Sequence, residues 1–364
     1  MKWIYICCVT AVCSFSSGYA AYAADNKAEE PQPKATAGKP ETEVDQKGMA
    51  RTRESIWKID IEIDNSGKYG IRGSVFGIGD PVHETLTLKA IVDSGLAKEG
   101  AGIKDPKVVQ YIRGVFWNDD PCAQLLTENE FLPLKPSFGA AWYVDFSNAG
   151  AEKNPASEFQ QLSCPLLGRS HFGDLQFLHG MADQDGIKPA ETLARLLGWA
   201  SVTYRIAIGV IGANTPLSTD ARAKSLLGKF SAQDALSLFR TKDKTEANQR
   251  ALGSLLHMVQ DTYAHGHVKR EKRPGGEDGP VVQFMSYANQ NAKKHAHDDT
   301  WRGGSTDLEK TTAIPGARDA LKASTKIAEF YKSKAPWDEV EQYLKNGPLL
   351  MSEKAEVSGA GDYK

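Results

Sequence analysis

Eight histidines carry most of the chemical potential of this 364-residue chain, and they fall in four short clusters. These are His83; His171 and His179; His257, His265 and His267; and His295 with His297. Three clusters have a carboxylate at helical or near-helical distance, and Asp119 lies upstream of the second. Imidazole and carboxylate are the ligands a catalytic zinc site uses, whereas a thiolate-rich structural site needs more cysteines than Cys122 and Cys164, the two that stand outside the amino-terminal stretch. In Leu256-His257-Met258-Val259-Gln260-Asp261 the His and the Asp stand four apart. On a helix both project from one face and can converge on one ion. A continuing helix would bring His265 onto that stripe, while His267 would need Gly266 to end the helix and turn the chain back. Local geometry therefore favours His265. The remaining clusters also fit ordinary roles. His83 follows the turn Gly79-Asp80-Pro81, His171 and His179 lie among Phe172, Leu175, Phe177 and Leu178, and His295 and Asp299 stand four apart in a polar stretch. Their repeated bunching with carboxylates is what ordinary histidines do not explain.

The elements that must position these groups read as mostly α. Leu193, Leu196, Leu197, Ala200 and Tyr204 share one face of a helix starting near Pro189, and Leu252, Leu255, Leu256, Val259 and Tyr263 form a second stripe. Ser218 and Ser231 precede helical runs as N-cap candidates. Residues 317–331 and 337–344 predict two shorter helices. Alternation over 56–79 around Asp64-Asn65-Ser66-Gly67 predicts a small N-terminal β-hairpin. The Pro-, Gly- and Asn-rich stretch from Asn118 to Arg169 reads as a long irregular loop.

The amino end reads as an export signal. Lys2 precedes the apolar stretch Trp3 to Val12, and Ala21-Tyr22-Ala23 offers a small-x-small cleavage site. Residues 1–23 are thus expected to be a signal peptide, too short and too interrupted by Ser14, Ser16 and Ser17 to span a bilayer. Residues 24–51 lack the bulky apolar groups that would offset ordering entropy and read as a disordered leader. A single all-helical domain is expected over 52–350, with a flexible tail at 351–364. Cys7, Cys8 and Cys13 leave with the signal, so Cys122 and Cys164 form an even pair, expected as a disulfide in an oxidising compartment, periplasmic or outside the cell. A net charge of −2 and the absence of a basic run exclude the dense cationic surface that duplex nucleic acid needs.

The order and spacing of the histidines and carboxylates resemble the bacterial zinc-dependent phospholipases C and the related single-strand nucleases, over roughly Pro81 to Trp301. Within Val82-His83-Glu84-Thr85, the resemblance implies His83 as the first ligand. Gly114-Val115-Phe116-Trp117-Asn118-Asp119 implies Asp119, and Ser170-His171-Phe172-Gly173-Asp174 selects His171 over His179. His257-x3-Asp261-x5-His267 matches the central run, with Asp261 as the bridging carboxylate and His267 in place of His265. The family's His-x3-Glu is matched by His295-x3-Asp299, one methylene shorter, with His297 as a competitor. The family also uses a mature N-terminal Trp as a ligand, and none stands at the matching distance from His83. The fold implied is an all-helical zinc phospholipase C-like one, holding two or three Zn2+ ions. The activity implied is phosphodiester hydrolysis by metal-activated water, with Asp119 also orienting or deprotonating that water. Phospholipid is the expected substrate, with peripheral membrane contact and no duplex nucleic acid. One rival is a single-strand nuclease, for which Lys269, Arg270, Lys272 and Arg273 are the cationic candidates. The other is a non-catalytic zinc-binding protein on the same scaffold.

Overall fold

Residues 82–102, 105–124, 136–152, 156–274, 276–291, 295 and 315–364 are described by a computed structural model. The expected signal peptide, leader and N-terminal hairpin, along with His297 and Asp299, lie outside the described residues. Among those described, the chain is mostly helical, as its apolar spacing predicts. In chain order the helices are α1 (Val82–Asp93), α2 (Val109–Trp117), α3 (Pro136–Glu152), α4 (Pro165–Phe172), α5 (Pro189–Ala207), α6 (Ala221–Leu227), α7 (Ala235–Leu238), α8 (Lys244–Asp261), α9 (Ala317–Ser333) and α10 (Trp337–Asn346). A two-stranded antiparallel sheet, β1 (Val268–Lys272) and β2 (Asp278–Phe284), follows α8. No described helix is long and apolar enough to cross a membrane.

Helix α8 is the centre of the packing. Its stripe of Leu252, Leu255, Leu256 and Val259 is fully buried, and α2, α5 and α9 pack around it. Asp243 caps its first turn by accepting from the Glu246 amide at 3.0 Å, which supplies one of the orphan donors of a helix start with a partner. Helix α2 crosses α8 at backbone contact. A Cβ on Gly114 would lie 2.1 Å from the Arg250 carbonyl oxygen, and one on Gly253 would lie 2.2 Å from that of Tyr111. Only glycine at both positions permits that approach, and it carries the end of α2 to the His257 face of α8. Asn118 then pins the arrangement: its Nδ2 donates to Leu178 O at 2.6 Å, and its Oδ1 accepts from Ser254 Oγ at 2.6 Å. On the opposite side Trp199 of α5 donates to Ser254 Oγ at 3.2 Å and stacks on Trp117.

Three expectations about local structure are corrected. The stretch from Asn118 to Arg169 is not one irregular loop, because α3 occupies 17 residues of it and α4 begins at Pro165. Both helices start on proline, whose fixed φ and missing N–H suit a first helical turn. Packing rather than propensity holds α3: Trp142, Phe146 and Ala149 face inward, and Asp145 accepts from the Ser163 and Cys164 amides at 3.2 and 2.9 Å. Second, the N-caps of α6 and α7 are Asp220 and Asp234, not Ser218 and Ser231. Each carboxylate accepts from a first-turn amide and places negative charge at the positive helix end, while Ser231 Oγ donates to Gly228 O at 2.6 Å. Third, residues 351–364 are not a loose tail. Met351 and Gly359 bridge to Val281 and Met285, Glu356 donates its amide to Val282 O at 2.7 Å, and Tyr363 is buried against Met181 and Met285. The hairpin edge has unpaired backbone groups, and this segment covers them.

Cys122 and Cys164 form a disulfide with a Cα–Cα distance of 5.9 Å. It ties the segment just after Asp119 to the start of α4, which carries His171.

Candidate metal centre

Asp261 ends α8 and is the hub of the site. Its Oδ1 lies 3.1 Å from His83 Nε2 on α1, and its Oδ2 lies 2.9 Å from His257 Nε2 and 3.0 Å from His179 Nδ1. His257 stands one turn before Asp261, so the helical repeat puts both on one face. His83 stacks on His257 with ring centroids 4.1 Å apart. Asp119 approaches from the end of α2, with its oxygens 3.9 Å from His257 Nδ1, His179 Nδ1 and His171 Nε2. His179 reaches the hub from a short 3-10 turn, Gln176–His179, closed by Gly180 at φ 68°. A Cβ there would sit 3.0 Å from the Thr262 amide, so glycine lets this turn press against the end of α8.

Two three-residue groups in this cluster could hold a metal ion: His83, His257 and Asp261; and Asp119, His179 and His257. They share His257. The donor atoms suit a cation better than they suit one another. His179 Nε2 and His257 Nδ1 are buried without a hydrogen-bond partner, and burying a polar nitrogen unpaired costs about 1–3 kcal/mol. Nitrogen and oxygen ligands at about 2.0–2.2 Å from one tetrahedral ion stand roughly 3.4 Å apart, and the separations above bracket that value. With both described cysteines in the disulfide, the available donors are imidazole and carboxylate.

Electrostatics prepares these donors. Burial pushes the Asp261 and Asp119 carboxyls up, but the surrounding imidazoles, His257 foremost, more than offset it and hold both well below the ordinary carboxylate range. Burial drives His179 down to about 4 despite its bond to Asp261, and the neighbouring His171 adds to the shift. Burial also acts to lower His83, but Asp261 overcomes it and holds the group at about 10. Anionic carboxylates and a neutral His179 are the protonation states that ion binding requires, whereas His83 must give up a proton when an ion binds.

His171, in the last turn of α4, donates from Nδ1 to Leu167 O at 3.0 Å and lies against Phe146. Among the described residues its Nε2 reaches only Asp119, so it flanks the hub, and the central position belongs to His179. His267 lies 3.6 Å from Asp261 Oδ1 by Nδ1, donates from that nitrogen to His179 O at 2.7 Å, and turns Nε2 toward the Tyr287 hydroxyl at 3.4 Å. His295 stacks on His267 with centroids 5.0 Å apart. Neither joins a three-residue group among the described residues. His265 points away, to Asp278 Oδ1 at 3.7 Å and Lys272 Nζ at 3.0 Å. The cause is that α8 stops at Asp261. The following turn is closed by Ala264 O, which accepts from the amides of His267 and Val268, and Gly266 adopts no left-handed φ.

His179 is the residue that sequence reasoning passed over. Its setting, Gln176-Phe177-Leu178-His179, resembles a core segment, and the signal that separates it from one is Gly180, which marks a tight turn. No family model, curated protein or solved structure matches this chain.

Proposed function

We propose that this chain is an exported zinc-dependent phosphodiesterase that acts on phospholipids in the manner of a phospholipase C. The observation that carries the proposal is the convergence of His83, Asp119, His179, His257 and Asp261 in two groups sharing His257, with two buried imidazole nitrogens otherwise unsatisfied. Among common metals, zinc matches a set of imidazole and carboxylate donors without thiolate. Bound there, it would supply positive charge against the phosphodiester oxygens and the departing oxygen. The protein's own groups have separate tasks. Asp261 and His257 hold the donor set in register. Asp119, whose side chain is 32 % exposed, faces the accessible side and orients an attacking water by accepting its hydrogen. Phe146, Phe172 and Tyr287, in ring contact beside His171, give the site an apolar border. Export is supported by the signal-like first residues and by the disulfide, which persists in oxidising compartments.

Lipid is favoured over single-stranded nucleic acid by how two of the four cationic candidates are used. Arg270 is buried and donates to the carbonyls of Thr262, Gly279 and Pro348, and Lys272 is engaged by Asp278 at 2.6 Å. Neither is left to track a phosphate backbone. The test is zinc analysis of the purified protein together with headgroup release from phosphatidylcholine vesicles and cleavage of a single-stranded oligonucleotide. Bound zinc with vesicle hydrolysis is expected. Oligonucleotide cleavage alone would replace the substrate assignment, and zinc uptake without hydrolysis of either would leave a binding protein.

A further inference from the structure

Gln260 sits directly before Asp261, is 3 % exposed, and turns its amide inward between three helices. Its Oε1 lies 2.9 Å from His83 Nδ1 on α1. Its Nε2 donates to Thr87 Oγ1 at 2.9 Å and to Ser324 Oγ, on α9, at 3.1 Å. Both hydroxyl residues are fully buried. The amide therefore has a partner at each end, and its oxygen is the atom that faces His83. An amide oxygen only accepts, so the hydrogen in the contact with His83 belongs to Nδ1. That leaves Nε2, the nitrogen 3.1 Å from Asp261 Oδ1, which donates to that carboxylate while the ring is protonated, as the one to give its lone pair to an ion that displaces its hydrogen. Histidine ligands of metals characteristically donate their other N–H to a fixed acceptor, which sets the ring's orientation and tautomer. His267 likewise donates from Nδ1 to a fixed acceptor, His179 O, although it belongs to neither candidate ion group.

We propose that Gln260 is a positioning residue that keeps the hydrogen of His83 on Nδ1 and so turns Nε2 toward an ion shared with Asp261. The proposal rests on the metal assignment above but is read by a different observable. Long-range 15N–1H NMR of histidine-labelled protein reports which ring nitrogen carries hydrogen. The His83 Nδ1–H is expected both in metal-free protein and with zinc bound, and a lone pair on Nδ1 in either state would overturn the proposal. Nδ1–H present with no zinc uptake would count against the metal assignment and leave the Gln260–His83 contact intact.

Variants separate positioning from simple packing. Gln260→Leu removes the acceptor and is expected to lower zinc affinity about 10–100-fold. Gln260→Glu keeps an acceptor for Nδ1 and can take the Thr87 and Ser324 hydroxyls on its other oxygen, so it should recover most of that loss. Ser324→Ala touches only the nitrogen end of the amide and should lower stability without moving the His83 signal. Equal zinc affinity in wild type and in Gln260→Leu would refute the role. If Gln260→Leu does not fold, Gln260→Glu with a lone pair on Nδ1 would refute it equally.

Discussion

Asp261 divides the histidines into two neighbourhoods built in different ways. On one side His83, His179 and His257 meet Asp119, three of the four carried by or just beyond α1, α2 and α8. The helix crossing at Gly114 and Gly253 and the buried amides of Asn118 and Gln260 fix their directions. On the other side His267, His295, Tyr287 and Tyr363 come from the turn after α8, the segment beyond β2 and the C-terminal end. There the rings pack on one another, His267 and His295 nearly parallel at 11°. Convergent lone pairs and carboxylate oxygens form the two candidate ion groups; stacked rings offer each other faces instead. Rigid helices aim donor atoms, and the packed turns beside them build a wall.

His257→Ala should be the most damaging substitution, since both candidate groups use His257. Zinc content should collapse, and hydrolysis should fall by about a thousandfold or more, as expected when several kcal/mol of charge stabilisation are lost. His267→Ala should cost less in both assays; equal losses would erase the distinction between the two sides. Removing the disulfide with Cys122→Ser and Cys164→Ser should lower stability by about 4 kcal/mol on the chain-entropy account, measured by urea unfolding. The loss should be felt on the helical side, because the bond ties the segment after Asp119 to α4, while Trp142 of α3 donates to Asp119 O at 3.1 Å.

The pH dependence of metal-free protein sharpens the contrast further. His83 is raised to about 10, so its pairing with Asp261 contributes fully below about 6.5, the ordinary imidazole value, and is lost as pH rises through about 10. His179, lowered to about 4, acts with the opposite sign. The unfolded chain takes up that proton first, so stability falls as pH drops from about 6.5 toward 4. Asp119 and Asp261, held below the ordinary carboxylate range, add stability that persists until still lower pH. Urea midpoints should therefore peak near neutral pH, and a monotonic rise from pH 4 to 10 would contradict these assignments. The smallest effect belongs to the stacked side. Tyr287→Phe removes a hydroxyl 3.4 Å from His267 and should cost about 1 kcal/mol or less, with zinc content unchanged.

What could be read in advance follows the range of the forces involved. The α8 stripe and the His257–Asp261 pair were legible because helical periodicity is local, and so were α5, α9 and α10. Helix α3 was hidden because it is held by Asp145, Trp142 and Phe146 contacting residues far along the chain, which outweigh its weak local signal. The C-terminal segment looked loose because its polar composition conceals backbone pairing to β2 and Met285. His179 was masked by its apolar neighbours, since whether a histidine among Phe and Leu is inert or a donor depends on what the tertiary fold brings to it. Gln260 carried no signal at all: only the nearness of α1 and α9 gives its amide a purpose.

Diffraction at the zinc absorption edge from zinc-loaded crystals would show whether these side chains gather around shared ions. Anomalous peaks are predicted among His83, His257 and Asp261 and among Asp119, His179 and His257. Peaks confined to surface positions, or none in this cluster at saturating zinc, would contradict the account.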